Sequence, residues 1–157
     1  MKKVLLVFLL IHMSLVSKAQ CTLPYKTLSQ FNNDTTAFIK YNFSTRASCY
    51  EGKSLDVLLN DLKIPVKWVL PTEDAQRFDI YDGMYLYIHP YNDSMHNDYF
   101  GFPEPVIAIE WVDAINADDF NFRSGGFPHL WDDNSSTFYD FMRFRLIKEV
   151  GVVGEVK

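Results

Sequence analysis

RFDIYDGMYLYIH, residues 77–89, is the stretch on which the fold turns. Two runs rich in aromatic and β-branched side chains flank Asp82-Gly83, a dipeptide favoured in two-residue hairpin turns because such turns need positive φ. The pattern predicts an antiparallel pair that reverses at Asp82-Gly83. On its N-terminal side, KSLDVLLNDLK (53–63) carries Leu55, Leu58, Leu59 and Leu62 at helical spacing. Ser54 is placed to cap this helix, and Asp56 sits in its first turn. The helix stops before Pro65, and IPVKWVL (64–70) alternates Ile64, Val66, Trp68 and Leu70, a strand pattern.

After residue 89, VIAIEWV (106–112) reads as a largely buried strand behind Pro103 and Pro105, which cannot donate to a ladder. STFYDFMRFRL (136–146) puts Phe138, Phe141 and Met142 on one helical side, and IKEVGVV (147–153) reads as a final strand. Nearer the start, Tyr25, Leu28 and Phe31 in LPYKTLSQFNN suggest a short helix entered at Pro24. AFIKYNF (37–43) alternates Ile39, Tyr41 and Phe43 as a strand would. Several strands, at least one tight reversal and two or three helices define an α+β chain with a mainly antiparallel sheet, in a single compact domain.

The first 19 residues read as a cleaved signal. Lys2 and Lys3 precede an apolar run from Val4 that is far short of the roughly 20 residues that span a bilayer, and Ser17 and Ala19 suit a cleavage site. The Ala19-Gln20 junction resembles those of secreted bacterial proteins. Residues 20–157 then form the mature domain, secreted or periplasmic, with no membrane insertion after signal removal. Removal takes three of 15 basic side chains and none of 20 acidic ones, so the mature formal charge is 15 less 3 less 20, or −8. Without a basic cluster, nucleic acid is excluded as a partner, and anionic membrane surfaces are disfavoured.

Two cysteines remain, Cys21 and Cys49. In an exported chain two cysteines pair, and closing this loop would stabilise the fold by roughly 3–4 kcal/mol. The alternative makes Cys21 the lipid anchor of an envelope protein with a structural role, but Gln20 is bulky for that processing and Cys49 would be left free.

Candidate sites are sparse. Gly52, Lys53 and Ser54 approach a phosphate loop, but Ala47 stands where its first glycine belongs, so Gly52 reads as a turn and Ser54 as a cap. His89, Asp93, His96 and Asp98 are metal-binding residue types crowded into ten positions, at a spacing that matches no zinc or calcium signature. No cofactor is expected. Asp34-Thr35-Thr36 and Asp93-Ser94-Met95 resemble short bacterial O-glycosylation sites. For catalysis, Glu110 on an apolar strand and His129 are the candidate acid and base of a small hydrolase or metal-dependent enzyme. The stronger lead is aromatic: Tyr99, Phe100, Phe102, Phe127 and Trp131, with Phe120 and Phe122, crowd loop-like stretches. Aromatic loops offer flat amphipathic surface to a sugar ring or a protein. The expectation is therefore a non-catalytic binding module for an unknown protein or carbohydrate.

Overall fold

The computed structural model describes residues 21–74, 76–88, 105–124, 129–130 and 136–154. Five strands form one antiparallel sheet: β1 (Trp68–Asp74), β2 (Arg77–Tyr87), β3 (Val106–Asn116), β4 (His129–Leu130) and β5 (Ile147–Val153), in the order β4-β1-β2-β3-β5. Helices α1 (Thr35–Ile39), α2 (Leu55–Leu62), α3 (Ala117–Ser124) and α4 (Ser136–Met142) accompany it. The architecture is the α+β one expected from the sequence pattern. Among the described residues no helix is long and apolar enough to cross a membrane.

The central strand corrects the first expectation. Asp82-Gly83 is not a turn: β2 runs straight through it, and the chain reverses instead between Asp74 and Arg77. Pairing shows why. Thr72 faces Gly83 and Glu73 faces Tyr81, which leaves Asp82 without a partner on β1, and β3 pairs with Tyr81 and Gly83 but likewise skips Asp82. Asp82 is a β-bulge, a feature that a glycine inside a strand often marks. Gly83 is required there because a Cβ would collide with the Ile109 carbonyl oxygen and lie 2.7 Å from Thr72 Oγ1.

One face of the sheet carries the core. Val69, Met84, Leu86, Ile107, Ile109 and Val150 pack against Phe38, Ile39, Phe43 and Tyr50, and against Leu55, Leu58 and Leu62 of α2. Each fully buried leucine contributes about 1.5–3 kcal/mol. Helix α2 spans the expected residues, with Ser54 at its N-cap, but the Ser54 side chain makes no capping bond. The carbonyls of Arg145 and Arg143 accept from Leu55 N (3.0 Å) and Asp56 N (2.9 Å) instead, so the turn between α4 and β5 caps α2 from across the structure. Tyr139 of α4 reinforces the junction by donating to Asp56 Oδ1 at 2.6 Å.

Three further expectations change. AFIKYNF is not a strand: α1, capped by Asp34 accepting from Ala37 N at 2.9 Å, continues as a π-helix over Lys40–Thr45. Its buried residues, Phe38, Ile39, Asn42, Phe43 and Arg46, recur at helical intervals that the apparent alternation conceals. The helix expected from Pro24 shrinks to one 3-10 turn, Leu28–Phe31. In IPVKWVL, extended pairing begins only at Trp68. Ile64 and Val66 join the main core, while Trp68 and Leu70 lie with the side chains of the opposite face. By contrast β3 and β5 contain the segments read for them, β3 running on to Asn116, while α4 forms where expected but ends at Met142, four residues short of the segment read as helical.

Gly83→Ala tests the bulge. Overpacking at such a contact costs about 1–3 kcal/mol or more, so the urea midpoint should fall clearly below that of the parent. An unchanged midpoint would show that β2 and β3 can separate freely at this point.

Candidate functional site

The face of the sheet opposite the helices divides into an apolar end and an acidic groove. At the apolar end Trp68 and Tyr87, directly paired across β1 and β2, stack at 3.5 Å with an interplanar angle of 11°. Val106 is buried with them, and Leu70, Tyr85 and Val153 pack around the group. The groove follows along the same strands. It has a volume of about 360 Å³, a floor of small residues at Ala108 and Gly151, and walls that include Tyr85, Glu73, Asp82 and Glu149. The bulge builds one wall: Asp82, outside both registers, accepts from Thr72 Oγ1 at 2.9 Å.

Glu110 borders this groove from β3. Its side chain is half exposed and pairs with Lys148 Nζ at 2.9 Å. That bond, and then the Glu110 charge itself, holds the Lys148 ammonium above its usual range. His129, the other catalytic candidate, lies on β4, where its backbone pairs with Val69. Three strand intervals separate β4 from β3, about 14 Å at the usual spacing. Glu110 and His129 are therefore not brought together as an acid and base acting on one bond.

The aromatic candidates Tyr99, Phe100, Phe102, Phe127 and Trp131, and the metal candidates His89, Asp93, His96 and Asp98, lie outside the described residues. So does the site Asp93-Ser94-Met95. Among the described residues no three His, Cys, Asp or Glu side chains gather as a metal site requires. Phe120 is described and is not a loop aromatic. It sits on α3, fully buried, edge-on to Tyr81 at 5.2 Å and to Phe138 at 5.1 Å. Asn116 opens that helix by accepting from Asp118 N at 2.9 Å, a signal present in the sequence.

A second polar arrangement, missed in the sequence, lies among the N-terminal helices. Cys21 and Cys49 form the expected disulfide. This excludes a lipid thioether on Cys21, since one sulfur cannot carry both bonds. Beside it Arg46, 5% exposed, donates to Leu23 O (3.0 Å), Asn42 Oδ1 (3.2 Å) and Tyr50 OH (3.3 Å), and its Nη2 lies 3.7 Å from Cys21 Sγ. Asn42, wholly buried, accepts from Lys26 N and donates to Lys26 O at 2.8 Å. Tyr50 donates to Asp61 Oδ2 at 3.0 Å, and Tyr25 donates to Asp61 O at 2.8 Å. The segment 21–27 is thereby strapped over the helices at both of its ends.

The chain matches no protein-family model, no curated protein and no solved structure. What can be said of its chemistry rests on this geometry.

Burial, and then the charge of Asp61, raises the Tyr50 hydroxyl well above its usual value near 10. Burial does the same for Tyr87. A raised folded-state value means that the folded protein holds the proton more tightly. The stabilisation is complete below pH about 10 and is lost as pH rises towards the folded values, by up to about 1.4 kcal/mol per unit for each tyrosine. Urea midpoints measured from pH 8 upward should hold level and then fall steeply past pH about 10. Tyr50→Phe should flatten part of that slope, and a parent midpoint level beyond pH 11 would contradict the assignment.

Proposed function

We propose that this chain is an exported, non-catalytic binding module that receives a carbohydrate on the open face of its sheet. The observation that carries the reading is the groove itself. Small residues at Ala108 and Gly151 leave room above the sheet, Tyr85 presents an aromatic wall, and carboxylates from β1, β2, β3 and β5 line the space. Sugars suit such a surface: their C–H faces pack on aromatic rings, and their hydroxyls donate to carboxylates without needing a counter-charge. The disulfide is compatible with an extracellular or periplasmic setting. The aromatic residues 99–102 and 127–131 remain part of the proposal as additional contacts. A hydrolase reading gains no support, because Glu110 is answered by Lys148 and His129 belongs to the far edge strand.

Amide chemical-shift mapping with neutral cello-, xylo-, manno- and chito-oligosaccharides tests this. Shifts should centre on Thr72, Tyr85, Ala108 and Gly151 for at least one series. A Cβ at Gly151 meets nothing within 4 Å, so Gly151→Trp projects into the groove without disturbing the strand and should abolish those shifts at an unchanged melting temperature. Shifts centred elsewhere, or none with any series, would remove the carbohydrate reading.

A further inference from the structure

We infer that the Cys21–Cys49 disulfide is a reversible redox couple, reducible by a dithiol while the protein stays folded, with Arg46 stabilising the Cys21 thiolate that reduction releases. Two features of the N-terminal network carry this, and neither depends on the groove.

The first is charge. Arg46 is buried, yet among the described residues no carboxylate lies within ion-pair distance of it. Its guanidinium is answered by the Leu23 carbonyl, the Asn42 amide and the Tyr50 hydroxyl, and Asp61 reaches it only through Tyr50. A buried cation held by hydrogen-bond dipoles and the faces of Tyr25 and Tyr50 gains from an anion. The Tyr50 hydroxyl beside it is kept protonated by burial and Asp61, whereas Cys21 Sγ, 3.7 Å from Nη2, becomes a thiolate on reduction. A neighbouring arginine lowers a thiol's pKa, and a stabilised reduced form makes its disulfide a stronger oxidant.

The second is retention. The strap stays in place by bonds that do not involve sulfur: Asn42 to both backbone groups of Lys26, Arg46 to Leu23 O, Tyr25 OH to Asp61 O and Tyr41 OH to Pro24 O at 3.1 Å. Cys49 is fixed by its own amide, which donates to Arg46 O at 2.9 Å. After reduction the two sulfurs therefore remain neighbours and can close again.

The step balances with an external dithiol. One of its thiolates attacks Cys49 Sγ, forming a mixed disulfide, while Cys21 Sγ leaves with the electron pair of the old bond, facing Arg46. The second thiol of the reductant then attacks its own sulfur in the mixed disulfide, and Cys49 is released. Two electrons and one proton pass to the couple, the proton to Cys49 Sγ. The second proton of the dithiol goes to solvent because Cys21 stays a thiolate, and the reductant ends as its own disulfide.

Dithiothreitol is the probe. Reduction of the intact protein should leave its near-ultraviolet circular dichroism native-like, and reoxidation should restore the bond. Iodoacetamide alkylation of the reduced protein across pH, read by peptide mass at each cysteine, should give Cys21 a midpoint at least about one unit below that of Cys49, whose ordinary value is near 8.5. Arg46→Met should close the gap and Arg46→Lys should retain part of it. Coincident midpoints in the parent, or reduction only with loss of the native spectrum, would overturn the inference. If Arg46→Met does not fold, the parent's two midpoints decide the matter alone.

Discussion

No side chain fits at residue 83, and most of this architecture follows from that. β2 is the middle strand of the sheet, so it has to approach both β1 and β3 closely along its length. At Gly83 the Ile109 carbonyl and the Thr72 hydroxyl occupy the space that a Cβ would need. The neighbouring residue absorbs the mismatch. Asp82 leaves the register on both sides and bonds Thr72, and the strand continues beyond the bulge with Met84 and Leu86 still directed into the core. Because side chains alternate with a period of two, an uncompensated slip would have sent those two residues to the open face. The bulge thus preserves the core and places a carboxylate beside the groove in one adjustment.

The helical layer answers to a different constraint. A buried guanidinium without a carboxylate partner has to be satisfied by fixed dipoles, and the π-helical turn supplies them. Arg46 N donates to Tyr41 O at 3.1 Å, a bond one residue longer than the α-helical one, which widens the backbone where Asn42 and Arg46 project. Asn42 meets four polar partners there, Lys26 N and O, Phe38 O and Arg46, so the buried network is connected rather than half satisfied. The disulfide then closes a strap that hydrogen bonds already hold.

How much of this was legible depends on whether the signal was local. Helix α2 was readable because its leucines repeat within a few residues, and β3 and β5 because their apolar runs are short and bounded. AFIKYNF was misread because a π-helical turn and a strand both return residues four apart to one side, so Ile39 and Phe43 share a buried face in either structure although Tyr41 does not join them. The distinguishing residues, Asp34 at the cap and Arg46 at the end, lie outside the window. Asp82-Gly83 was misread for the opposite reason. Its local preference for positive φ is real, but the contact that decides the outcome comes from Ile109, 26 positions away. Helix α3 escaped because Phe120 and Phe122 beside Gly125 and Gly126 resemble a loop, although Asn116 caps the helix and Phe120 is core.

The groove was illegible for the same physical reason. Its lining comes from four strands, with Thr72, Tyr85, Ala108 and Gly151 adjacent only through pairing registers that no single segment encodes. Glu110 alone attracted notice, because a carboxylate on an apolar strand is conspicuous. Its real significance lies in its cross-strand neighbours, Gly83 on one side and Glu149 on the other, the first without a side chain and the second with a like charge. Directly opposed like charges are unfavourable on a sheet, and the register shift at Lys148 relieves the clash by bringing an ammonium to the same carboxylate. The irregularities at Asp82 and at Lys148 thus serve one surface, the open face of the sheet. They keep a strip of acidic side chains open above glycine and alanine, where a continuous ladder of larger residues would have filled the space.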